Sequence, residues 1–214
     1  VEQASATLER ALASQRVIFG PRSSRVLATL TDLADVRVAQ GRYADAEQLI
    51  REELALTEEL LGVQHYEAGY VRTFLADVLL KRGQVREAEK EGRKSLEILS
   101  STLPADHQYI ASAEYQLGMI LFEKRQLSEA ARKLEDSMHR WERSNAPRWR
   151  AARSESALGE VLLRMGNARD AKVHLARSYG VLQEDLGKND PTTQAARARL
   201  ERFNGSHTSS ENGT

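Results

Sequence analysis

A repeat of 42 residues limits this chain to one kind of architecture. Leu33-Ala34, Leu75-Ala76, Leu117-Gly118 and Leu158-Gly159 recur at spacings of 42, 42 and 41 residues. Thirteen residues past each Leu stands an alanine (Ala46, Ala88, Ala130, Ala171), and Gly41, Gly83 and Gly166 fill three of the four equivalent turn positions. A period of this size with small residues at fixed places specifies stacked helical hairpins, because no hairpin can hide its apolar side alone. The predicted fold class is all-α: a right-handed superhelical solenoid of antiparallel helix pairs, about ten helices in all. The boundaries are a partial repeat 1–22, full repeats 23–64, 65–106, 107–147 and 148–189, a closing helix 190–203, and a tail 204–214 that has nothing to bury and is expected to be disordered.

In the first full repeat, helix A is expected from about Ser23 to Gln40 and helix B from about Tyr43 to Leu61. Val26, Leu30 and Leu33 fall at offsets of four and three, the stripe of a buried helical face. Gly41 then ends helix A, since a left-handed residue there carries little strain only for glycine. Arg125 holds the third repeat's equivalent position, where a left-handed geometry costs roughly 1 kcal/mol, so that hairpin is expected to turn differently. Asp190-Pro191 is a strong helix start, a capping carboxylate followed by proline at the first helical position. Residues 1–19 align with the B helix at 43–61. Because the chain thus starts halfway through a repeat and lacks an initiator Met, it reads as a piece of something longer.

Composition removes several classes of function. The 31 basic and 31 acidic side chains cancel, so no global field favours nucleic acid or an anionic membrane. With no cysteine, disulfide frameworks, thiolate metal sites and thiol catalysis are excluded. Apolar runs such as Met119-Ile120-Leu121-Phe122 are far shorter than the roughly 20 residues that span a bilayer, and a cytoplasmic location is expected. His65 and His107 lie one repeat apart at matching helix starts, where capping or packing explains them better than a metal pair. His139, His174 and His207 are isolated, and no acid, nucleophile and base can be assembled around them. The stretch from Arg140 to Arg150 mixes basic and aromatic residues in a way that can grip single-stranded nucleic acid, but it also reads as a plain link with packed tryptophans and solvated arginines, which we favour. No catalytic residue, metal or cofactor is expected in this segment.

The recurring Leu-Gly/Ala pair, turn glycine, Tyr43 and helix B alanine resemble the tetratricopeptide repeat over residues 1 to about 203. The ordinary form has 34 residues; eight more add about one turn to each helix. Together with the Leu61-Gly62-Val63-Gln64-His65 link, this looks like the kinesin-light-chain type of repeat, common also in bacterial proteins. That resemblance implies a scaffold binding an extended peptide or protein segment in a groove lined by its A helices. The family's asparagines before the Leu-Ala pair are absent, the positions holding Thr31-Asp32, Thr73-Phe74, Tyr115-Gln116 and Ser156-Ala157. Its Lys and Asn clamp for a terminal carboxylate is absent too, which argues against chaperone-tail binding.

Carried over position by position, the resemblance implies a partner-binding face of Thr31 and Asp35; Tyr70, Thr73 and Asp77; Tyr115, Met119 and Phe122; and Arg153 and Glu160. The acids Asp35, Asp77 and Glu160 beside Tyr70, Tyr115 and Phe122 suggest a partner with basic and apolar residues; the alternative is a solvated face carrying ordinary helix acids. Glu47, on helix B, is expected to point away from the groove. A second functional reading concerns the parent polypeptide. The ending Gln194-Ala195-Ala196-Arg197-Ala198-Arg199-Leu200 resembles C-terminal sensor or docking regions of bacterial serine/threonine kinases, with catalysis outside this segment, since no kinase loop pattern occurs here.

Overall fold

The computed structural model describes the backbone from Glu2 to Glu211 and side chains through Gly205. Ten helices and no strand occur among these residues. They are α1 (Glu2–Phe19), α2 (Ser24–Ala39), α3 (Tyr43–Leu61), α4 (Tyr66–Lys81), α5 (Val85–Thr102), α6 (Gln108–Glu123), α7 (Leu127–Arg143), α8 (Arg148–Arg164), α9 (Ala168–Leu186) and α10 (Pro191–Glu211). They gather into two compact units, Val1–Pro104 with α1 to α5 and Ala105–Thr214 with α6 to α10. A reading in repeats alone, with one domain over 1–203, does not foresee that division. It falls at a link where Leu103 turns to extended backbone (φ −117°, ψ 155°) and Pro104 has no N–H to carry the helix on.

Helices α2, α4, α6 and α8 end in the same doubly hydrogen-bonded turn. The amide of Gly41 donates to the Val38 carbonyl (3.0 Å) and that of Arg42 to the Arg37 carbonyl (2.9 Å), which satisfies two of the carbonyls a helix end leaves free. The pattern recurs at Gly83 and Gln84, at Arg125 and Gln126, and at Gly166 and Asn167. The third hairpin therefore turns like the others, contrary to the sequence expectation. Arg125 takes φ 60° and is the one described non-glycine residue with positive φ. Two carbonyls satisfied at once offset the roughly 1 kcal/mol that the left-handed backbone costs.

Helix starts also follow from local chemistry. The Nδ1 atoms of His65 and His107 accept from the amides of Glu67 (3.3 Å) and Tyr109 (3.2 Å), so both histidines cap. Asp190 Oδ1 accepts from Thr192 (2.7 Å) and Thr193 (3.3 Å), with Pro191 opening α10 as its fixed φ favours.

Packing within each unit depends on the small residues. Ala46, Ala88, Ala130 and Ala171 are fully buried. In unit 1, Leu12 of α1 packs with Val26, Leu30 and Leu33 of α2 and Leu56 of α3. In unit 2 the glycine of the Leu-Gly pair leaves room for helix B: a Cβ on Gly118 would lie 2.7 Å from Leu134 Cγ, and one on Gly159 2.8 Å from Leu175 Cγ. At its end the unit closes on Phe203, which packs with Ala171 and Leu175.

The sequence places the end of the last helix near Phe203, but helical backbone continues to Glu211. Gly205 does not adopt the positive φ by which Gly41, Gly83 and Gly166 stop their helices, so nothing interrupts the hydrogen-bond ladder there. The end of the expected tail, Asn212 to Thr214, lies outside the described residues.

Two substitutions test this account by urea unfolding. Ala88→Leu should overpack the α4–α5 contact and lower stability by about 1–3 kcal/mol. Arg125→Gly should raise it by about 1 kcal/mol, because it keeps the turn and removes the left-handed strain.

Candidate partner-binding faces

The A helices of unit 1 are α2 and α4, and those of unit 2 are α6, α8 and α10. In unit 1, Thr31 of α2 is half-buried and donates to Glu53 Oε1 of α3 (2.6 Å). Glu53 stands where the register puts Ser95, Ser137 and Ser178 in the other repeats. Ser95 and Ser137 use that position to donate to the carbonyls of Gly69 and Ala111 (both 2.7 Å). A carboxyl therefore fills a site shaped for a buried hydroxyl. Glu53 is only 8% exposed and has no ion-pair partner among the described residues. Burial pushes its carboxyl up to about 7, with the nearby Asp35 charge adding and the Thr31 hydrogen bond opposing. Asp35 is raised too, by desolvation and then by Asp32.

Along α4, Tyr70 meets Phe74 edge-on at 4.8 Å. Thr73 is buried and shares a hydrogen bond with Ser95 (2.8 Å), so it joins helices within unit 1 and does not present itself to a partner. Asp77 is bound by Lys81 (2.7 Å).

In unit 2 the inferred residues converge more closely. Met119 and Phe122 of α6 and Glu160 of α8 line one cavity of about 390 Å³. Its remaining walls include Arg164 of α8 and Arg199 and Arg202 of α10. Glu160 is not a free acid: Arg202 lies at 2.5 Å, Arg199 at 3.6 Å and Arg164 at 3.9 Å. Arg153 stacks its guanidinium 4.2 Å from the Tyr115 ring centre.

Of the acidic row, then, only Asp35 lacks an ion-pair partner among the described residues. The signal for Arg202 was present in the sequence, because one more step of 42 from Glu160 reaches it. Glu53 could likewise have been found as the acid in a column of serines.

A tetratricopeptide repeat family model matches residues 1–59 and 25–101. The structure resembles BtubC (BKLC) from P. vanneervenii at 20% identity, covering 100% of this chain and 92% of that one, with a TM-score of 0.73. It resembles a putative kinesin light chain of Podosopora anserina with nearly identical TPR-like repeats at 21% identity, covering 87% and 90%, with a TM-score of 0.67. Residues 1–101 carry tetratricopeptide repeats, and the likeness to these solved structures extends the fold over the rest of the chain. It also resembles YrrB, a TPR protein with an unusual peptide-binding site, at 18% identity, covering 93% and 86%, with a TM-score of 0.58. No curated protein sequence matches the chain.

Outside the A-helix faces, several ionic side chains serve packing. Glu47 of α3 is buried. Burial pushes its carboxyl up, but hydrogen bonds from Arg51 and Arg82 win and hold it below its ordinary value. In the basic-aromatic stretch, Trp141 is buried and Arg150 stacks on both Trp141 (4.9 Å) and Trp149 (4.7 Å). Arg140 grips Glu114 through two bonds (2.9 and 2.8 Å), Arg143 reaches Asp106 and Arg148 reaches Asp185. These arginines are paired, which favours packing over nucleic-acid binding. Among the described residues, no helix is long and apolar enough to cross a membrane.

The Glu53 environment predicts a pH dependence with a definite sign. Its folded carboxyl is raised above the unfolded value, so below about pH 4.5 it is protonated in both states and costs nothing. Stability is lost as pH rises from there to about 7, by an amount on the order of 2–3 kcal/mol. Glu53→Gln keeps an oxygen for Thr31 and cannot ionise. It should match the parent protein in urea unfolding at low pH and exceed it at pH 8.

Proposed function

We propose that this chain is a protein-interaction scaffold that takes an extended segment of a partner protein along the A-helix faces of its repeats. The supporting observation is the cavity of unit 2, where Met119, Phe122 and Glu160, drawn from two different A helices, converge with open space between them. A concave site with apolar walls and a few polar groups is what segment recognition uses. The likeness to YrrB, described as having a peptide-binding site, points the same way. Catalysis has no part in this reading. The tetratricopeptide repeat is a binding architecture.

In unit 1 the reading keeps a preference for a basic residue, resting now on Asp35 with Asp32 beside it. Neither has an ion-pair partner among the described residues, and the aromatic pair Tyr70 and Phe74 offers apolar area on the same unit. Asp77 adds little, being already engaged by Lys81.

Selection of displayed random peptides on the whole chain tests the reading. Peptides that use unit 1 should lose about tenfold in affinity on Tyr70→Ala, the size of effect at an aromatic anchor. They should also weaken on Asp35→Lys, with the loss shrinking as salt rises. Neither should change on Glu97→Lys, an exposed site on α5. Binding indifferent to every A-helix substitution would place the partner elsewhere on the protein.

A further inference from the structure

The charge around the unit 2 cavity runs opposite to that of the acidic row. Three guanidinium groups, Arg164, Arg199 and Arg202, line it together with two carboxylates, Glu123 and Glu160, leaving one positive charge unmatched. Glu201, the acid adjoining Arg202 in sequence, is taken by Arg197 (2.7 Å) and does not make up the difference. Donors are in greater surplus than charge. Each guanidinium carries about five N–H groups, whereas a carboxylate offers about four acceptor sites. Arg199 uses one donor on Ser156 (3.2 Å), while Arg164 and Arg202 remain more than half exposed.

We propose that this cavity receives an acidic side chain, Asp or Glu, from a partner segment that carries an apolar residue beside it. The proposal rests on the reading that the A-helix faces bind such a segment, and it gives that segment its chemistry at one place. Arg202 and Arg164 are positioned to bind the incoming carboxylate by charge-assisted hydrogen bonds. Met119 and Phe122 supply the apolar wall. Glu160 fixes the arginines before the partner arrives, so less side-chain entropy is lost on binding. Tyr115, Met119 and Phe122 follow one another at offsets of four and three, so the apolar line continues along α6 beyond the cavity. A segment passing over the site finds contact past its acid, which selects an internal residue over a chain terminus.

The test uses the full chain and two random heptapeptide libraries, one fused through its carboxyl end and one with a free carboxyl terminus. In the fused library, Asp or Glu should dominate one position next to Leu, Ile, Met or Phe. A selected peptide, N-acetylated and C-amidated, should lose about tenfold in affinity when its acid becomes Gln. On Arg202→Gln the acidic peptide should lose about the same factor and its Gln counterpart almost nothing, the coupling expected of groups in direct contact. Arg164→Gln provides an independent second variant, and thermal melts by circular dichroism establish that each is folded. Acids enriched only in the free-terminus library would overturn the side-chain proposal in favour of a terminal carboxylate. Neutral or basic peptides that bind and are lost on Phe122→Ala would overturn the acid preference while leaving the A-helix reading intact. Selected peptides indifferent to Phe122→Ala, Arg202→Gln and Arg164→Gln, or no enrichment at all, would overturn both for this unit.

Discussion

The close approach of helix A to helix B within each hairpin is the constraint on which the other features depend. It works only because small residues occupy both sides of the contact: the buried alanines of helix B, and Gly118 or Gly159 facing Leu134 or Leu175. With the two backbones that close, the loop between them has almost no freedom. It must reverse the chain within a few residues and satisfy carbonyls at the end of helix A. The paired hydrogen bonds that recur at all four turns are the solution, and they require a left-handed residue whatever its identity. Arg125 accepts that geometry because the packing on either side leaves no alternative, so tertiary contact overrides local preference.

Rigid spacing of helices fixes where side chains stand but not what they are. Charges placed on neighbouring helices must then be resolved by pairing, since a buried unpaired ion is costly. The arginines answer this in each unit, with Arg72 between Glu58 and Glu91 in the first, and Arg140 on Glu114 in the second. A planar guanidinium suits the role, because one group can bond two carboxylates in fixed directions. That also explains how a chain so rich in charge offers little open field. Among the described residues the buried Glu53 departs from this, and it meets the cost of burial through a raised carboxyl value without a cation beside it.

Nearly the whole framework was legible in the sequence because it is written in spacing. Helix B of the first full repeat, read as Tyr43 to Leu61, is α3 to the residue, and helix A differs by one residue at each end. Spacing reports backbone register, and register is shared by every repeat. What the sequence left obscure depends on pairing between specific side chains. Thr73 looked like a face residue from its register, yet Ser95 draws it inward. Asp77 and Glu160 looked like free acids, and Lys81 and the α10 arginines neutralise them. The division at Pro104 was equally hidden, since the repeat pattern runs through it without a change of period.

Within unit 2 the last step of the register carries the functional argument furthest. The position two residues past the repeat leucine is Met119 in α6, Glu160 in α8 and Arg202 in α10. One backbone location, repeated three times, thus presents an apolar, an acidic and a basic group around a single cavity. Equal spacing sets these unlike groups beside one another, so Glu160 and Arg202 pair across 42 residues of sequence and Met119 forms the apolar wall next to them. A repeat of identical side chains could offer a partner only a uniform strip. Variation at one register position is what turns a periodic scaffold into a surface with direction, on which a segment has one best orientation and placement.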